Sequence, residues 1–442
     1  MKAKTCALTP VDRDILRLAI PSVVSNVTVP LLGLVDLAIS GHLGSGVYIG
    51  AISVGSMIFN VVYWLFGFLR MGTSGLTSQA FGRRDAKSMS AVLVRSEVIG
   101  CVLGLCFVVL QVPLWWVAVN VIRPGTEVET LVRTYYNICI WGAPAMMGLY
   151  GLNGWFVGMQ DTRTPMKVAI AQNVVNIVAS LVLALGLDMK LQGVAFGTLI
   201  AQWSGLLLAL IGAKRIVREH GLAVSLTSDV LSAAELKRFF SVNSDIFLRT
   251  LFLVAVNLFF TAAGARQSDL VLSANALLIT FFTLFSYVMD GFAFAGEALG
   301  GRFFGAADRL GFSEVVDRLF RWGWLLALVF TLVYLVCGNA LIHLLTDQPE
   351  VVGEAQNYYL WAVAIPLCGF AAFVLDGIFI GITATRAMLL SSALAAAVFF
   401  GLFFGLFPSM ANHALWLALL AYLLVRGLVE ACWLRVRGVK WQ

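Results

Sequence analysis

Asp36 stands in "PLLGLVDLAIS", residues 30 to 40, and is the one charged residue of that run. The wider segment, 19 to 44, has no Lys, Arg or Glu. On insertion scales an Asp at the centre of a membrane span costs ~2.5–3.5 kcal/mol, so such a residue normally faces a bundle interior or a watery chamber and serves proton or ion movement there. Removal from water disfavours the charged form of a carboxyl group. Asp36 is therefore expected to take up a proton on one face of a membrane and lose it on the other. The structural alternative is an interhelical hydrogen bond. Pro21 and Pro30 precede Asp36 in the same segment, and each removes a backbone donor, so a static kink or a bendable helix is expected. Asn173 and Asn176, in "QNVVNIVASLVL", are three apart and share a helix face, with Ser180 one turn further on. Thr198, in "GVAFGTLIAQ", belongs to the next apolar run. Their amides and hydroxyls could hydrogen-bond Asp36 or line a small cation site. As plain interhelical contacts they would contribute ~0.6–2 kcal/mol each.

The second half of the chain carries more charge. Asp245 and Arg249, in "NSDIFLRTL", are four apart and are expected to pair on one helix face near a cytoplasmic end. Asp290 and Glu297, in "YVMDGFAFAGEALGGR", are seven apart, again on one face, and Tyr287 opens that stretch. Asp376 lies in "VLDGIFIG". These five charged residues and Tyr287 are the candidates for substrate binding or second-half charge. Phe and Met are abundant, and those facing a cleft would suit bulky, partly aromatic substrates.

The elements that must position these groups follow from composition. The chain has 442 residues, 60% hydrophobic and 12% charged, against ~25% charged in soluble domains. Apolar runs of ~20 residues recur throughout, long enough to cross a ~30 Å hydrocarbon core as helices. They are continuous rather than alternating, which disfavours a barrel. Twelve spans are predicted, near 14–39, 47–80, 90–121, 130–158, 166–187, 191–214, 239–264, 271–300, 317–345, 356–381, 387–407 and 413–435. Loops after even-numbered spans are rich in basic residues, among them Arg83, Arg84, Lys87, Lys214, Arg215, Arg218, Lys237, Arg238, Arg302 and Arg309. Loops after odd-numbered spans, counting Arg133 at the very start of the fourth span, hold Arg123, Arg133, Lys190 and Arg266. The positive-inside rule then places both termini in the cytoplasm of a multi-pass cell-membrane protein. The net charge of +6 follows from this asymmetry and needs no nucleic-acid partner.

The chain repeats itself. "YYNICIWGAPAMMGLYGLNGWFVGMQDTR" starts at Tyr135 and "YYLWAVAIPLCGFAAFVLDGIFIGITATR" at Tyr358, a separation of 223. The same separation relates Gly154 to Gly377, Gly158 to Gly381, Arg163 to Arg386, and "FGRRD" to "FGAAD". It also sets Asp376 opposite Asn153, where the repeats have diverged. The expected architecture is an all-α integral membrane protein: twelve transmembrane helices in two pseudo-symmetric six-helix lobes, 1–214 and 239–442, around a central cleft. Residues 215–238 are expected to form a cytoplasmic linker with a short amphipathic helix. An even number of helices per repeat gives both lobes one orientation, an arrangement suited to alternating access.

Other chemistries lack their motifs. No GxxxxGK[ST] phosphate loop and no HExxH occurs, and His42, His220, His343 and His413 are isolated. The seven cysteines form no CxxC pair and read as small apolar residues. An enzyme is therefore disfavoured, no cofactor is expected, and energy would have to come from an ion gradient.

"IPSVVSNVTVPLLGLVDLAISGHLG", "QAFGRRD", "GWFVGMQDTRTPM" and "NVVNIV" resemble the multidrug and toxic compound extrusion (MATE) family. "DIFLRTL" and "SANALLITFFTLFSYVMDGFAFAGEALGGRFFGA" resemble its DinF-like branch. The likeness covers essentially the whole chain. It implies twelve helices in two lobes and export of drug-like, amphipathic compounds in exchange for protons or sodium. It implies that Asp36, within "VDLAISGHLG", couples cation to transport, with Asn176 and Thr198 as its partners. Ser180 stands where the family often has a second carboxylate. That departure removes a hard anionic ligand and favours protons over sodium. A functional monomer is expected. A lipid-linked precursor flippase is the alternative, and it would need a strongly basic central cavity. The spans hold Arg70, Arg95, Arg133, Arg249, Arg318, Arg321 and Arg426, mostly near helix ends.

Overall fold

The computed structural model describes residues 8–41, 43, 45–123, 125–225 and 230–436. Among them there is no strand, and helices account for nearly all of the described residues. The helices are α1 (Pro10–Gly41), α2 (Gly46–Phe66), α3 (Phe68–Gly82), α4 (Ala86–Val109), α5 (Gln111–Ile122), α6 (Thr126–Cys139), α7 (Ala143–Gly158), α8 (Arg163–Ser180), α9 (Lys190–Glu219), α10 (Ala233–Ala265), α11 (Asp269–Gly305), α12 (Arg309–Leu345), α13 (Pro349–Gly381), α14 (Thr385–Met410) and α15 (Asn412–Val436).

Each of the twelve predicted spans falls on one helix or on a pair in series. The second span is interrupted at Gly67, whose N–H bonds Trp64 O at 3.1 Å in a tighter i to i−3 turn between α2 and α3. The third breaks at Leu110, three residues before Pro113, which has no N–H to continue the ladder. The fourth passes through a 3₁₀ turn, Ile140–Gly142, just before Pro144. The fifth ends in a π-turn, Leu181–Gly186. Among the described residues ten helical stretches are long and apolar enough to cross a membrane. The other two predicted spans are α1 and the broken pair α6–α7.

The outer faces of these helices are apolar. Val109, Val112, Val121, Val336 and Leu344 are all more than two-thirds exposed. A helix that is apolar all round belongs in hydrocarbon, where it satisfies its own backbone bonds. The protein is a multi-pass membrane protein.

Two compact units divide the chain. One runs from Val24 to Asn243; the other joins the described residues up to Val23 with those from Ser244 onward. The divisions fall inside α1 and α10, so these units and the lobes expected at 1–214 and 239–442 are not the same partition. The first turn of α1 explains part of this. Asp12, buried, accepts from Thr9 N at 2.9 Å, from Trp322 Nε1 at 3.1 Å and from Arg318 at 3.3 Å, which fixes the start of α1 to α12. No separate amphipathic helix occupies 215–225 or 230–238. The polar ends of that segment instead extend α9 to Glu219 and begin α10 at Ala233, while 226–229 lie outside the described residues. Arg95 anchors the segment: its Nε donates to Val230 O at 2.9 Å, and its guanidinium lies 3.0 Å from Glu235.

The repeat is visible as matched local geometry. Arg84 and Ala307 both adopt the left-handed conformation (φ 56° and 55°), as do Gln160 and Thr383 (φ 65° and 53°). The residue after each closes its helix with the same backbone bond: Asp85 N to Ala80 O and Asp308 N to Phe303 O, both 3.0 Å, and Asp161 N to Phe156 O at 2.9 Å and Ala384 N to Phe379 O at 2.8 Å. Asp85 and Asp308 then cap the next helices through Ser88 N at 3.0 Å and Gly311 N at 2.9 Å. Ser88 Oγ also donates to Asp85 at 2.5 Å, and this bonding holds the Asp85 carboxyl below its ordinary value of 3.8. A Cβ on Gly154 would overlap Arg70 O, and one on Gly377 would overlap Ala293 O. Both partners are again 223 apart, so the two glycines permit the same close crossing, α7 on α3 and α13 on α11.

Candidate functional site

Within the Val24–Asn243 unit, α1, α2, α6, α8 and α9 bring polar side chains to one place. Asp36 is half-buried, and its Oδ1 is buried without a hydrogen-bond partner among the described residues. Its charge acts on Tyr135 and Cys139 of α6. The Tyr135 hydroxyl lies 3.4 Å from Ser56 Oγ and interacts with Thr198. Thr198 Oγ1 accepts from Asn176 Nδ2 at 3.2 Å and donates to Val194 O at 3.1 Å. Asn173 Nδ2 donates to Thr28 O at 3.0 Å, which ties α8 to α1 two turns before Asp36. Gly55 gives Tyr135 its place, since a Cβ there would press into the ring at 2.5 Å.

Four of the five first-half candidates are thus joined to this cluster or to its helices by hydrogen bonds or charge. Ser180 is different. It is fully buried, its Oγ has no hydrogen-bond partner among the described residues, and a Cβ on Gly197 would overlap it. The close approach of α8 and α9 leaves room for serine there and not for a longer acid. Asn176 Oδ1 is also buried without a partner. The cluster therefore offers one carboxylate, Asp36, one phenol, Tyr135, one amide, Asn176, and two hydroxyls, Ser56 and Thr198, a set able to solvate a proton-carrying acid.

In the other unit Arg249 does not pair with Asp245. It turns instead to Asp376, which also takes Arg426, both guanidiniums bonding the same oxygen, Oδ2. Asp245 accepts from Thr385 Oγ1 at 2.9 Å. A long-range pairing between α10 and α13 overrides the local i,i+4 geometry because it matches two buried charges, whereas Asp245 is half-buried and satisfied by a hydroxyl. Asp290 is half-buried on α11 and acts electrostatically on Tyr287 one turn earlier; Glu297 is buried two turns later.

Several of these groups were not among the candidate site residues read from the sequence. Tyr135 opens the repeated segment, and Arg426 is a charge within an apolar run, so both carried a signal. Glu97, with Oε1 buried beside Gly151, and Glu430 are acids within apolar helices and could have been found by the reasoning that found Asp36. Cys139 carried none. Cys6 and His42 lie outside the described residues; the six described cysteines are free.

The MatE family profile matches residues 21–182 and 246–406. The DNA damage-inducible protein F of Escherichia coli is 36% identical over 432 residues, 97% of this chain and 93% of that protein. The probable multidrug resistance protein NorM of Thermotoga maritima is 24% identical over 355 residues, 77% of this chain and 74% of its own. The fold matches a Vibrio cholerae MATE transporter with a TM-score of 0.85 at 18% identity, over 98% of this chain and 99% of that one. The two profile segments begin near the two unit boundaries and each covers the corresponding repeat. The chain belongs to the MatE family, whose members are transporters and not enzymes.

Proposed function

We propose that the protein is a secondary exporter of organic, often cationic and amphipathic compounds, driven by alternating access and exchange for protons. Family membership supports the export reading, as do relatives named for multidrug resistance. The observation that carries proton coupling is Asp36, an acid within α1 whose Oδ1 has no hydrogen-bond partner among the described residues, beside a tyrosine that interacts with Thr198, which in turn accepts from Asn176. When Asp36 gains a proton it loses its hold on a cationic substrate, and α1 settles against the Tyr135–Thr198–Asn176 chain. When it loses the proton, substrate binds again. The coupling is a difference in affinity between two states, as any such cycle requires. Ser180 supports protons over sodium, because it supplies no second anionic ligand next to Asn176. The protein works as a monomer in the cell membrane, with both termini cytoplasmic, and uses no cofactor.

The flippase reading is disfavoured by the same geometry. Arg249 and Arg426 are committed to Asp376 and Arg95 to Glu235 and Val230, so these buried cations are not available to a pyrophosphate.

Purified protein in liposomes, given either a proton or a sodium gradient, tests the coupling. Export of a fluorescent organic cation is expected under the proton gradient alone. Export driven only by sodium would contradict the proposal.

A further inference from the structure

Glu430 takes no part in the cycle described above, yet it lies at the heart of the charged cluster in the unit containing α15. Arg426 and Glu430 are one turn apart on α15 and share a face. Glu430 is fully buried. Ser391 of α14 has its Oγ 2.7 Å from Glu430 Oε1 and 2.8 Å from Met388 O. A serine hydroxyl has one proton to donate. If that proton goes to Met388 O, the contact to Glu430 is a hydrogen bond only when Glu430 is protonated and donates to Oγ. If it goes to Oε1, then Oε2 is left buried without a partner among the described residues. Asp376 Oδ1 is likewise without a partner, but its Oδ2 takes two guanidiniums; with no described cation bonded to it, an ionised Glu430 would be far costlier there than a neutral acid. Both arrangements are those of a carboxylic acid.

The surrounding charges agree. Asp376 faces the cluster from α13, Arg249 from α10, and Arg426 from Glu430's own helix, with its guanidinium 5.5 Å from the Tyr422 ring. Both arginines bond Asp376 Oδ2, and among the described residues the hydrogen-bond partner of Glu430 is Ser391, not an arginine. With Glu430 neutral the cluster holds two cations and one anion. A move of Arg426 by one turn, from Asp376 to Glu430, would produce two complete pairs, Arg249 with Asp376 and Arg426 with Glu430.

We propose that Glu430 is a proton-binding site, protonated while Asp376 holds both arginines and deprotonated when Arg426 crosses to it. The proton passes from the Glu430 carboxyl to water, and the buried cluster loses one positive charge. Its place in a transport cycle rests on the exporter reading; the existence of the site does not. Because the two arrangements differ by one bound proton, whatever favours one over the other is linked to proton uptake.

The infrared spectrum of the full-length protein in detergent at neutral pH reads this directly, through the carbonyl band of a neutral carboxylic acid. A band is expected in wild type that E430Q removes and D36N leaves in place, and that S391A shifts by loss of its hydrogen bond. An acid band unchanged in E430Q overturns the proposal. Should E430Q fail to fold, a band that does not move in S391A overturns it equally. In liposomes, E430Q is expected to move fewer protons per substrate while substrate affinity stays near wild type, and an unaltered proton count refutes the exchange. Wild-type protein that shows the band but exports nothing under any gradient would remove the exporter reading and leave the Glu430 site standing.

Discussion

Asp376→Asn should be among the most damaging single substitutions that preserve side-chain shape. Arg249 and Arg426 are 5% and 4% exposed, and one carboxylate oxygen compensates both. Breaking a buried pair by removing one partner costs ~3–5 kcal/mol, because the other charge is left uncompensated. Here one removal strands two guanidiniums, so a loss at the upper end, about 5 kcal/mol, is expected. Arg249→Met is the informative comparison. It removes one cation but leaves Asp376 paired with Arg426, so no charge is stranded and the excess positive charge disappears. Its loss should be about 1 kcal/mol or less, since replacing part of a buried ionic network by an apolar side chain is often near neutral. Unfolding in mixed micelles, followed by tryptophan fluorescence at fixed protein concentration, compares the two variants. Equal losses, or a larger loss for Arg249→Met, would refute the claim that a single acid compensates two buried cations.

Gly154→Ala and Gly377→Ala should each destabilise by ~1–3 kcal/mol in the same assay, since the added methyl meets a backbone carbonyl that cannot move aside alone. Gly33→Ala on α1 has open space around it and should be neutral or stabilising by up to ~1 kcal/mol; a loss as large as at Gly154 would contradict the packing account. Asp85→Ala removes the cap on α4 and should cost ~1 kcal/mol. The Asp85 carboxyl is held below its ordinary value of 3.8 by Ser88, so its stabilisation is fully present above that value and is lost as pH falls below it through the folded-state value. Asp85→Asn should flatten wild-type stability loss in that acid window, and an unchanged acid limb would show that the cap bonds contribute nothing. Tyr135→Phe removes the hydroxyl next to Ser56 and Thr198 and should alter the pH profile of transport without lowering stability by more than ~1.5 kcal/mol; an identical profile would exclude Tyr135 from the Asp36 cluster.

The spans were legible because hydrocarbon imposes one rule on every residue that touches it. Val109, Val112 and Val336 are exposed in the middle or at the ends of long apolar runs, as an apolar solvent favours. The same rule made Asp36 conspicuous, since an acid in such a run needs a reason. Breaks within spans were less legible: Pro113 and Pro144 stood in the sequence, but the π-turn after Ser180 has no comparable residue to mark it. Pairings were legible only when local. Asp245 and Arg249 met the i,i+4 rule and yet did not pair, because the buried Asp376 lies 127 positions from Arg249 in sequence and is the stronger partner. Asp12 and Arg318, 306 positions apart, were out of reach for the same reason. The repeat was legible, and its physical cause was not. Only the packing shows that Gly154 and Gly377 recur because each admits a carbonyl oxygen of a crossing helix.

The central claim is that one carboxylic acid in α1, Asp36, exchanges a proton for substrate. Proteoliposomes holding wild type or Asp36→Asn, loaded with a fluorescent organic cation and given a proton gradient, test it most directly. Wild type should export substrate with simultaneous proton movement, and Asp36→Asn should bind substrate more weakly and show neither flux. Proton-driven export by Asp36→Asn at the wild-type rate would contradict the account.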